Sequence, residues 1–144
     1  MKILVGVDDS PFSTAVVEYL KGSPWAAGSQ FVVVSACPPI WVSPGEMASP
    51  GPIAEMNQQQ EQYHKQMARD AATELSEAGF AATGRVELGD PRSILVETAR
   101  REKADLLVVG SHGRSGVAKL LLGSVASHVI AHAPCSVLVV KRPA

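Results

Sequence analysis

Short apolar runs alternate along the chain with segments in which apolar residues recur at helical spacing. The clearest runs are Ile3–Val7, Phe31–Val34, Leu106–Val109 and Val137–Val140, and a weaker one covers Thr83–Leu88. The clear runs are rich in β-branched residues and lack polar–apolar alternation, which indicates strands that are buried on both faces. The resulting pattern, βαβαβαβαβ, predicts a parallel sheet with helices on both faces.

Four segments between these runs are predicted to be helices from their apolar spacing and their end signals. Ser10 before Pro11 is typical of a helix start, and Gly22 is typical of a helix end. Asp90 before Pro91 starts another helix in the same way. We expect the apolar faces to hold Phe12, Val16, Tyr19 and Leu20 in the first helix, Met56, Tyr63, Met67, Ala71 and Leu75 in a helix over about 54–78, Leu95 and Ala99 in the third, and Leu121, Val125, His128 and Val129 in the last.

The organisation of the chain points to one domain with one ligand edge. The stretch from Cys37 to Pro52 is rich in proline and glycine and predicts a long loop, but no linker or repeat divides the chain, so residues 1–144 are expected to form a single domain. Asp8 and Asp9 follow the first strand, and a glycine-containing segment follows the fourth. Ligands of open parallel sheets bind where the strand order reverses. These positions therefore favour a Rossmann-like open α/β sheet of order 3-2-1-4-5.

The segment 110–124 has features that suit a phosphate group. Gly110 and Gly113 allow sharp turns and let backbone N–H groups approach an anion closely. Gly123 and Ser124, near the start of the last helix, would add N–H donors and the positive end of a helix dipole. Two glycines beside a strand also occur in tight turns that bind nothing. The spacing over the whole segment is therefore needed to distinguish a phosphate-binding loop from such a turn.

Composition excludes one class of partner, and the charge distribution favours another. The formal net charge of −1 argues against a dedicated nucleic-acid binder, which would be clearly basic. All 14 acidic residues lie at or before Asp105, whereas the chain from Leu106 onward has four basic residues and no acidic one. Arg114 and Lys119 in this acid-free part could supply charge to a small polyanion.

The sequence gives no sign of a membrane, a leader or a metal. No apolar run approaches the ~18 residues of a membrane span, and the first residues lack a signal-peptide pattern. Cys37 and Cys135 form neither a disulfide framework nor a recognisable zinc site. His128 and His132 have a metal-binding spacing but no evident third ligand, so we interpret them as ordinary helix residues. We expect a cytoplasmic protein without a metal site of its own.

Isolated residues elsewhere receive structural interpretations. His64 lies in a polar helical stretch and is assigned no function. Trp41 is expected to pack on its own domain, although it could stack on a base or dock a partner. Asp9 is interpreted as a solvated or capping residue and Asp90 as a helix cap. The chain has neither a P-loop sequence nor a G-x-S-x-G elbow, so rapid catalysis is not supported.

The spacing G-2x-G-9x-G-S from Gly110 to Ser124, the opening Ile3–Ser10 and the turn Gly89–Pro91 resemble the universal stress protein family. The resemblance covers nearly the whole chain. It implies a member of the ATP-binding subclass that takes ATP with Mg²⁺, and a homodimer that pairs through Val137–Val140. By position, it implies that Asp8 contacts the ribose, that the backbone of Ala36 faces adenine, and that ribose and phosphates are surrounded by Val109, Gly110, His112, Gly113, Arg114, Gly123, Ser124 and Val125.

Three hypotheses from different classes remain at this point. The first is a nucleotide-dependent regulatory dimer with an unidentified downstream protein partner, to which slow ATP hydrolysis or self-phosphorylation on Ser124 would be an enzymatic extension. The second is a phosphoacceptor receiver domain, in which Asp8, Asp90 and Lys141 would form the acidic site and its lysine. The third is a module for dimerisation or docking alone, built on the last strand, which would be an aggregation hazard as an uncovered sheet edge.

Overall fold

The fold is a five-stranded parallel sheet flanked by four helices. The computed structural model describes residues 1–43, 45, 50–114 and 121–143. Neighbouring strands pair in parallel in the order β3-β2-β1-β4-β5, which confirms the predicted Rossmann-like sheet of order 3-2-1-4-5. The elements are β1 Lys2–Gly6, α1 Pro11–Gly22, β2 Gln30–Cys37, α2 Pro50–Glu77, β3 Ala81–Leu88, α3 Pro91–Arg101, β4 Leu106–Gly110, α4 Ser124–His132 and β5 Ser136–Val140.

The core has two layers because successive side chains of a strand point to opposite faces of the sheet. In β1, Ile3 and Val5 pack with α1 and α2 on one face, whereas Leu4 packs with α3 and α4 on the other. The three side chains are completely buried. Helices thus cover both faces, as the unbroken apolar runs predict, and the interior strands β1 and β4 are shielded on both sides.

Helix α2 lies so close to β3 that small residues form its contact face. A Cβ added to Gly84 of β3 would lie 2.2 Å from the carbonyl oxygen of Ala68, so only glycine allows this approach. The prediction of a face containing Met56 and Tyr63 is wrong, because both side chains are more than half exposed. The prediction is confirmed for Ala71 and Leu75, and the full buried face consists of His64, Ala68, Ala71, Ala72 and Leu75.

Two helix boundaries differ from the predictions. Helix α2 begins at Pro50, so the prolines that indicated a loop up to Pro52 belong to the first helical turn, where a missing N–H does no harm. Leu121, predicted on the apolar face of the last helix, precedes α4 and is 94% exposed. The prediction that Tyr19 belongs to the buried face of α1 is also wrong. Tyr19 is exposed, and α1 buries Val16, Val17 and Leu20. Residues 44 and 46–49 of the predicted loop lie outside the described residues.

Candidate functional site

A cavity of about 280 Å³ opens at the carboxyl ends of β1 and β4, where the strand order reverses. An open parallel sheet leaves a crevice at this point because the connections from the two strands run to opposite sides. All ten residues singled out from the sequence line this cavity, although their contact with a nucleotide stays a prediction. They are Asp8, Ala36, Val109, Gly110, His112, Gly113, Arg114, Gly123, Ser124 and Val125, and they are joined by residues that the sequence did not single out, among them Ser13, Pro38, His64 and Leu95.

The carboxylate of Asp8 is held in place by two serines. Its Oδ1 accepts hydrogen bonds from the backbone N–H of Ser10, from the Ser10 hydroxyl and from the Ser13 hydroxyl. Oδ2 lies on the other side, 2.9 Å from where a Cβ on Gly113 would be. Ser10 occupies the N-cap position of α1, as predicted, but its side chain makes no capping hydrogen bond because its hydroxyl donates to Asp8.

The glycine segment approaches its surroundings so closely that side chains would collide. A Cβ on Gly110 would lie 2.8 Å from Cβ of Phe12, and one on Gly123 would lie 3.1 Å from Cα of His112. The N–H of Gly123 donates to the carbonyl oxygen of Ser111 at 2.7 Å. That N–H closes the loop onto itself, so the expectation that it serves a phosphate is not supported. The next N–H groups, in the first turn of α4, have no intrahelical partner.

The start of α4 has no capping side chain within the part of the chain that the structure describes. Gly123 occupies the N-cap position, so the N-cap residue has no side chain that could bond to the first-turn N–H groups. Ser124, Val125 and Ala126 of this turn line the cavity. The positive end of the helix dipole therefore faces the cavity, where an anion would be stabilised.

Arg114 spans the gap between the two loops of the site. Its Nε lies 2.8 Å from Oδ1 of Asp9, and its side chain is 58% exposed. Asp9 is exposed, which agrees with its interpretation as a solvated residue, and its carboxylate also pairs with Arg114. This ion pair compensates part of the positive charge of Arg114, which was predicted to attract a phosphate. Lys119, the other predicted source of charge, lies outside the described residues.

Two histidines flank the site in different environments. The ring of His112 contacts that of Phe12 at a centroid distance of 5.2 Å, and its Nδ1 lies 3.1 Å from Oγ of Ser111. His64 of α2 is only 3% exposed, and its Nδ1 lies 2.7 Å from Oγ of Ser35 on β2. Burial lowers the pKa of His64, and nearby Arg114 lowers it further against smaller opposing effects of Asp9 and Asp8. We infer that His64 is neutral at pH 7.

His64 and Ser13 are the functional candidates that the sequence analysis missed. The hydroxyl of Ser13 both accepts from the backbone N–H of Asp8 and donates to its carboxylate. His64 could have been found from its spacing to Ala68 and Leu75, because residues four and eleven apart share a helix face. Its polar neighbours in sequence concealed that face.

Other residues with candidate chemistry lie elsewhere or have structural partners. Asp90 caps α3, where its carboxylate accepts from the backbone N–H of Arg92, as predicted. Trp41 is 86% exposed, so the expectation that it packs on its own domain is wrong. The rings of His128 and His132 stack at 4.2 Å. Among the described residues, no group of three or more metal-ligating side chains occurs.

The topology separates this protein from a receiver domain. Receiver-type sheets have the order 2-1-3-4-5, in which the reversal lies between strands one and three. Here the reversal lies between β1 and β4, and Asp90 is engaged as a helix cap. The receiver hypothesis is therefore wrong, and the fold defines a Rossmann-like protein with one ligand crevice beside a glycine segment.

Comparisons with known proteins identify the family. The family model described as the universal stress protein family matches residues 1–141, so the chain belongs to the universal stress protein family. A universal stress protein of Thermus aquaticus is 31% identical over 140 residues, which cover 96% of this chain and 97% of that protein. The alignment with universal stress protein MJ0531 of Methanocaldococcus jannaschii is 53% identical but covers only 38% of this chain and 32% of that protein.

Solved structures agree with this assignment. The protein MJ0577 superposes with a TM-score of 0.85 at 25% identity, covering 99% of this chain and 96% of the other. A universal stress protein solved in complex with cAMP has a TM-score of 0.68 at 29% identity, covering 97% and 96% of the two chains. Within the described residues, no helix is long and apolar enough to cross a membrane.

Proposed function

We propose that this protein binds ATP in the cavity at the β1–β4 edge and acts as a nucleotide-dependent regulatory homodimer of the cytoplasm. The observation that carries the proposal is the open start of α4, which faces the cavity opposite the fixed carboxylate of Asp8. An anionic group suits the start of α4. A ribose hydroxyl suits Asp8, because a carboxylate oxygen accepts hydrogen bonds. The cAMP complex of a relative supports a nucleotide as the ligand class.

The two ends of the cavity differ in the way that the two ends of a nucleotide differ. Val34, Ala36, Pro38 and Leu95 form an apolar end that suits the faces of a purine ring. The glycine segment and the first turn of α4 form the end that suits phosphates. We therefore propose that the base lies beside β2 and the phosphates beside α4.

Mg²⁺ would enter this site with the phosphates. The described residues hold no cluster of three metal-ligating side chains, but Mg²⁺ commonly keeps several waters and binds one or two carboxylates together with substrate phosphates. Oδ2 of Asp8 is the oxygen left for the ribose hydroxyl, because Oδ1 already accepts three hydrogen bonds. Mg²⁺ would therefore be held by the phosphates and by waters, and it would reduce the negative charge that the phosphates bring to the site.

Substitution of Gly113 by valine tests the proposal most simply. A side chain there would meet Oδ2 of Asp8, whose carboxylate is held by three hydrogen bonds, and would fill the space meant for ligand. We expect calorimetry to show ATP binding by the wild-type protein and a loss of at least about tenfold in Gly113→Val. The matched control is Gly22→Val, since a Cβ at Gly22 meets nothing within 4 Å. Folded wild-type protein that binds no ATP at millimolar concentration would refute the proposal.

The homodimer rests on the exposed edge of the sheet. In β5, Val137, Leu138 and Val139 are only partly buried, and β4 is the strand that pairs with β5 in the described sheet. A second copy that pairs along β5 would cover this apolar edge. We expect light scattering to show a dimer that Val139→Lys disrupts. Thr83→Lys on the opposite edge strand, β3, is the control and should leave the dimer intact.

A further inference from the structure

The nitrogen Nε2 of His64 is a buried polar atom for which the described residues provide no hydrogen-bond partner. The residue is 3% exposed, yet it lines the cavity. A buried polar atom without a partner destabilises a protein, and such atoms are rare in folded chains. Because His64 lines the cavity, a bound ligand can supply the missing partner.

The contacts of Ser35 determine which kind of partner Nε2 requires. The Ser35 hydroxyl has a single proton, and its oxygen lies 2.7 Å from Nδ1 of His64 and 3.8 Å from Sδ of Met67. Nδ1 can donate to this oxygen, and the hydroxyl proton is then left for the sulfur. This arrangement satisfies both contacts of Ser35. In a neutral imidazole it leaves Nε2 as an acceptor, so the partner must be a donor.

The position of His64 favours the base of the proposed nucleotide over its phosphates. His64 contacts Ser35 near the end of β2, and Ala36 and Pro38, which follow Ser35 in the chain, line the cavity together with His64. A purine base presents apolar faces together with a few polar atoms at its edge. Among the purines, adenine carries an exocyclic amino group at C6, which is a donor, whereas hypoxanthine and guanine carry an oxygen there.

We propose that Nε2 of His64 accepts a hydrogen bond from the exocyclic amino group of adenine and thereby selects adenine nucleotides. The inference rests on the proposed function, since it assigns a specificity residue to the same cavity. An oxygen at C6 would instead face the lone pair of Nε2. Ser35 acts as a positioning residue, because it fixes the tautomer of His64 without contacting the base itself.

The test compares ATP, purine riboside triphosphate, which lacks the amino group, and 2′-deoxy-ATP by calorimetry. We expect the wild-type protein to prefer ATP over purine riboside triphosphate by about tenfold, the usual effect of a lost hydrogen bond that leaves a buried atom unpaired. His64→Phe keeps a ring of similar shape, and it should reduce this preference to about one. His132→Phe, on the exposed face of α4, is the matched control and should keep the full preference.

Each result has a distinct meaning. If the wild-type protein binds none of the nucleotides, the proposed function itself fails. If it binds ATP, but His64→Phe lowers the affinity for all three nucleotides by the same factor, His64 has only a structural role and the inference is overturned. The inference is also overturned if the substitution removes a preference for ATP over 2′-deoxy-ATP, because His64 would then contact the ribose.

A second measurement needs no substitution, so it does not depend on the variant's folding. Long-range ¹H–¹⁵N NMR of the wild-type protein reports which ring nitrogen of His64 carries the proton. We expect an unprotonated Nε2 in the free protein, with a chemical shift that moves on addition of ATP but not of purine riboside triphosphate. A protonated Nε2 in the free protein would contradict the inference.

Discussion

Helices α3 and α4 pack on the same face of the sheet and begin beside the same cavity. A side chain caps the first turn of α3, whereas α4 has a glycine at the N-cap position. Asp90 caps α3: its Oδ1 accepts from the backbone N–H of Arg92 at 2.8 Å, and the Arg92 guanidinium pairs with the same carboxylate. At the start of α4 the equivalent position is Gly123, which has no side chain to offer. The chain thus closes one helix start and leaves the other available to an anion.

This comparison explains why similar local sequences have different consequences. Both helices follow a glycine-containing turn, and Pro91 and Ser124 stand at the first position of α3 and α4. A carboxylate at the N-cap satisfies the first N–H groups internally and compensates the helix dipole. Without it, these groups need an external partner. The difference between a capped helix start and an open one lies here in one side chain.

The largest effect is expected when α4 is given the cap that α3 has. Gly123→Asp would place a carboxylate where we propose that phosphates bind, so it would both occupy the N–H donors and repel the ligand. We expect ATP affinity, measured by calorimetry, to fall by about 100-fold or more. Gly123→Asn has a similar size without the charge and should bind more tightly than Gly123→Asp. Equal affinities of Gly123→Asp and wild type would contradict the assignment of the α4 start.

A smaller effect, on stability alone, is expected when the cap of α3 is removed. Asp90→Ala leaves first-turn N–H groups of α3 without their side-chain partner, which costs about 1 kcal/mol of unfolding free energy. Urea denaturation measures this loss, and ATP affinity should stay within about twofold of wild type. A loss of affinity similar to that of Gly123→Asp would show that the two helix starts are not functionally distinct.

The contribution of Asp90 to the free energy of unfolding should also depend on pH. Its hydrogen bond from the Arg92 side chain lowers the pKa of this carboxyl below its ordinary value of 3.8. A lowered pKa in the folded state means that the stabilisation is complete above pH 3.8 and is lost as the pH falls through the folded-state pKa. The stability difference between wild type and Asp90→Ala should therefore shrink below about pH 4. A difference that stays constant down to pH 2.5 would contradict the role of the ionised carboxylate.

The smallest effect is a change in ATP affinity, expected when the ion pair between Asp9 and Arg114 is removed, because Asp9 competes with phosphates for the guanidinium. Asp9→Asn removes the carboxylate that pairs with Arg114, so the guanidinium becomes available to phosphates. Because the pair is exposed and screened by salt, we expect ATP affinity at low salt to rise by only about two- to threefold. Asp70→Asn on the exposed side of α2 is the control. A weaker affinity in Asp9→Asn would mean that Asp9 supports the site rather than competing with the ligand.

The sheet order could be predicted because buried parallel strands and ligand-edge residues leave a strong pattern in the sequence. Asp8 and the glycine segment each follow a clear apolar run, and the topology then brings them together. The burial of His64 could not be predicted in this way. It depends on the close approach of α2 to Gly84, and the hydrogen-bond partner Ser35 lies 29 positions earlier in the chain.

Side-chain partners also depend on the fold in ways that the sequence does not indicate. Ser10 has the sequence signature of an N-cap, but the neighbouring Asp8 carboxylate provides a stronger, charged acceptor for its hydroxyl. Asp9 pairs with Arg114, which is over a hundred positions away in the chain. Trp41 follows a helix-breaking stretch in which no periodicity indicates what a side chain will contact. Residue type sets the chemistry of such groups, but the fold determines their partners.

The most direct test of the account is to follow the backbone amides of both helix starts while ATP is added. In ¹H–¹⁵N spectra of the wild-type protein, we expect saturable shifts of Ser124, Val125 and Ala126, whose N–H groups begin α4. The amides of Arg92, Ser93 and Ile94 in the capped start of α3 should shift much less. This result would confirm that the uncapped helix binds the phosphates. No change at millimolar ATP, or shifts centred on α3, would contradict it.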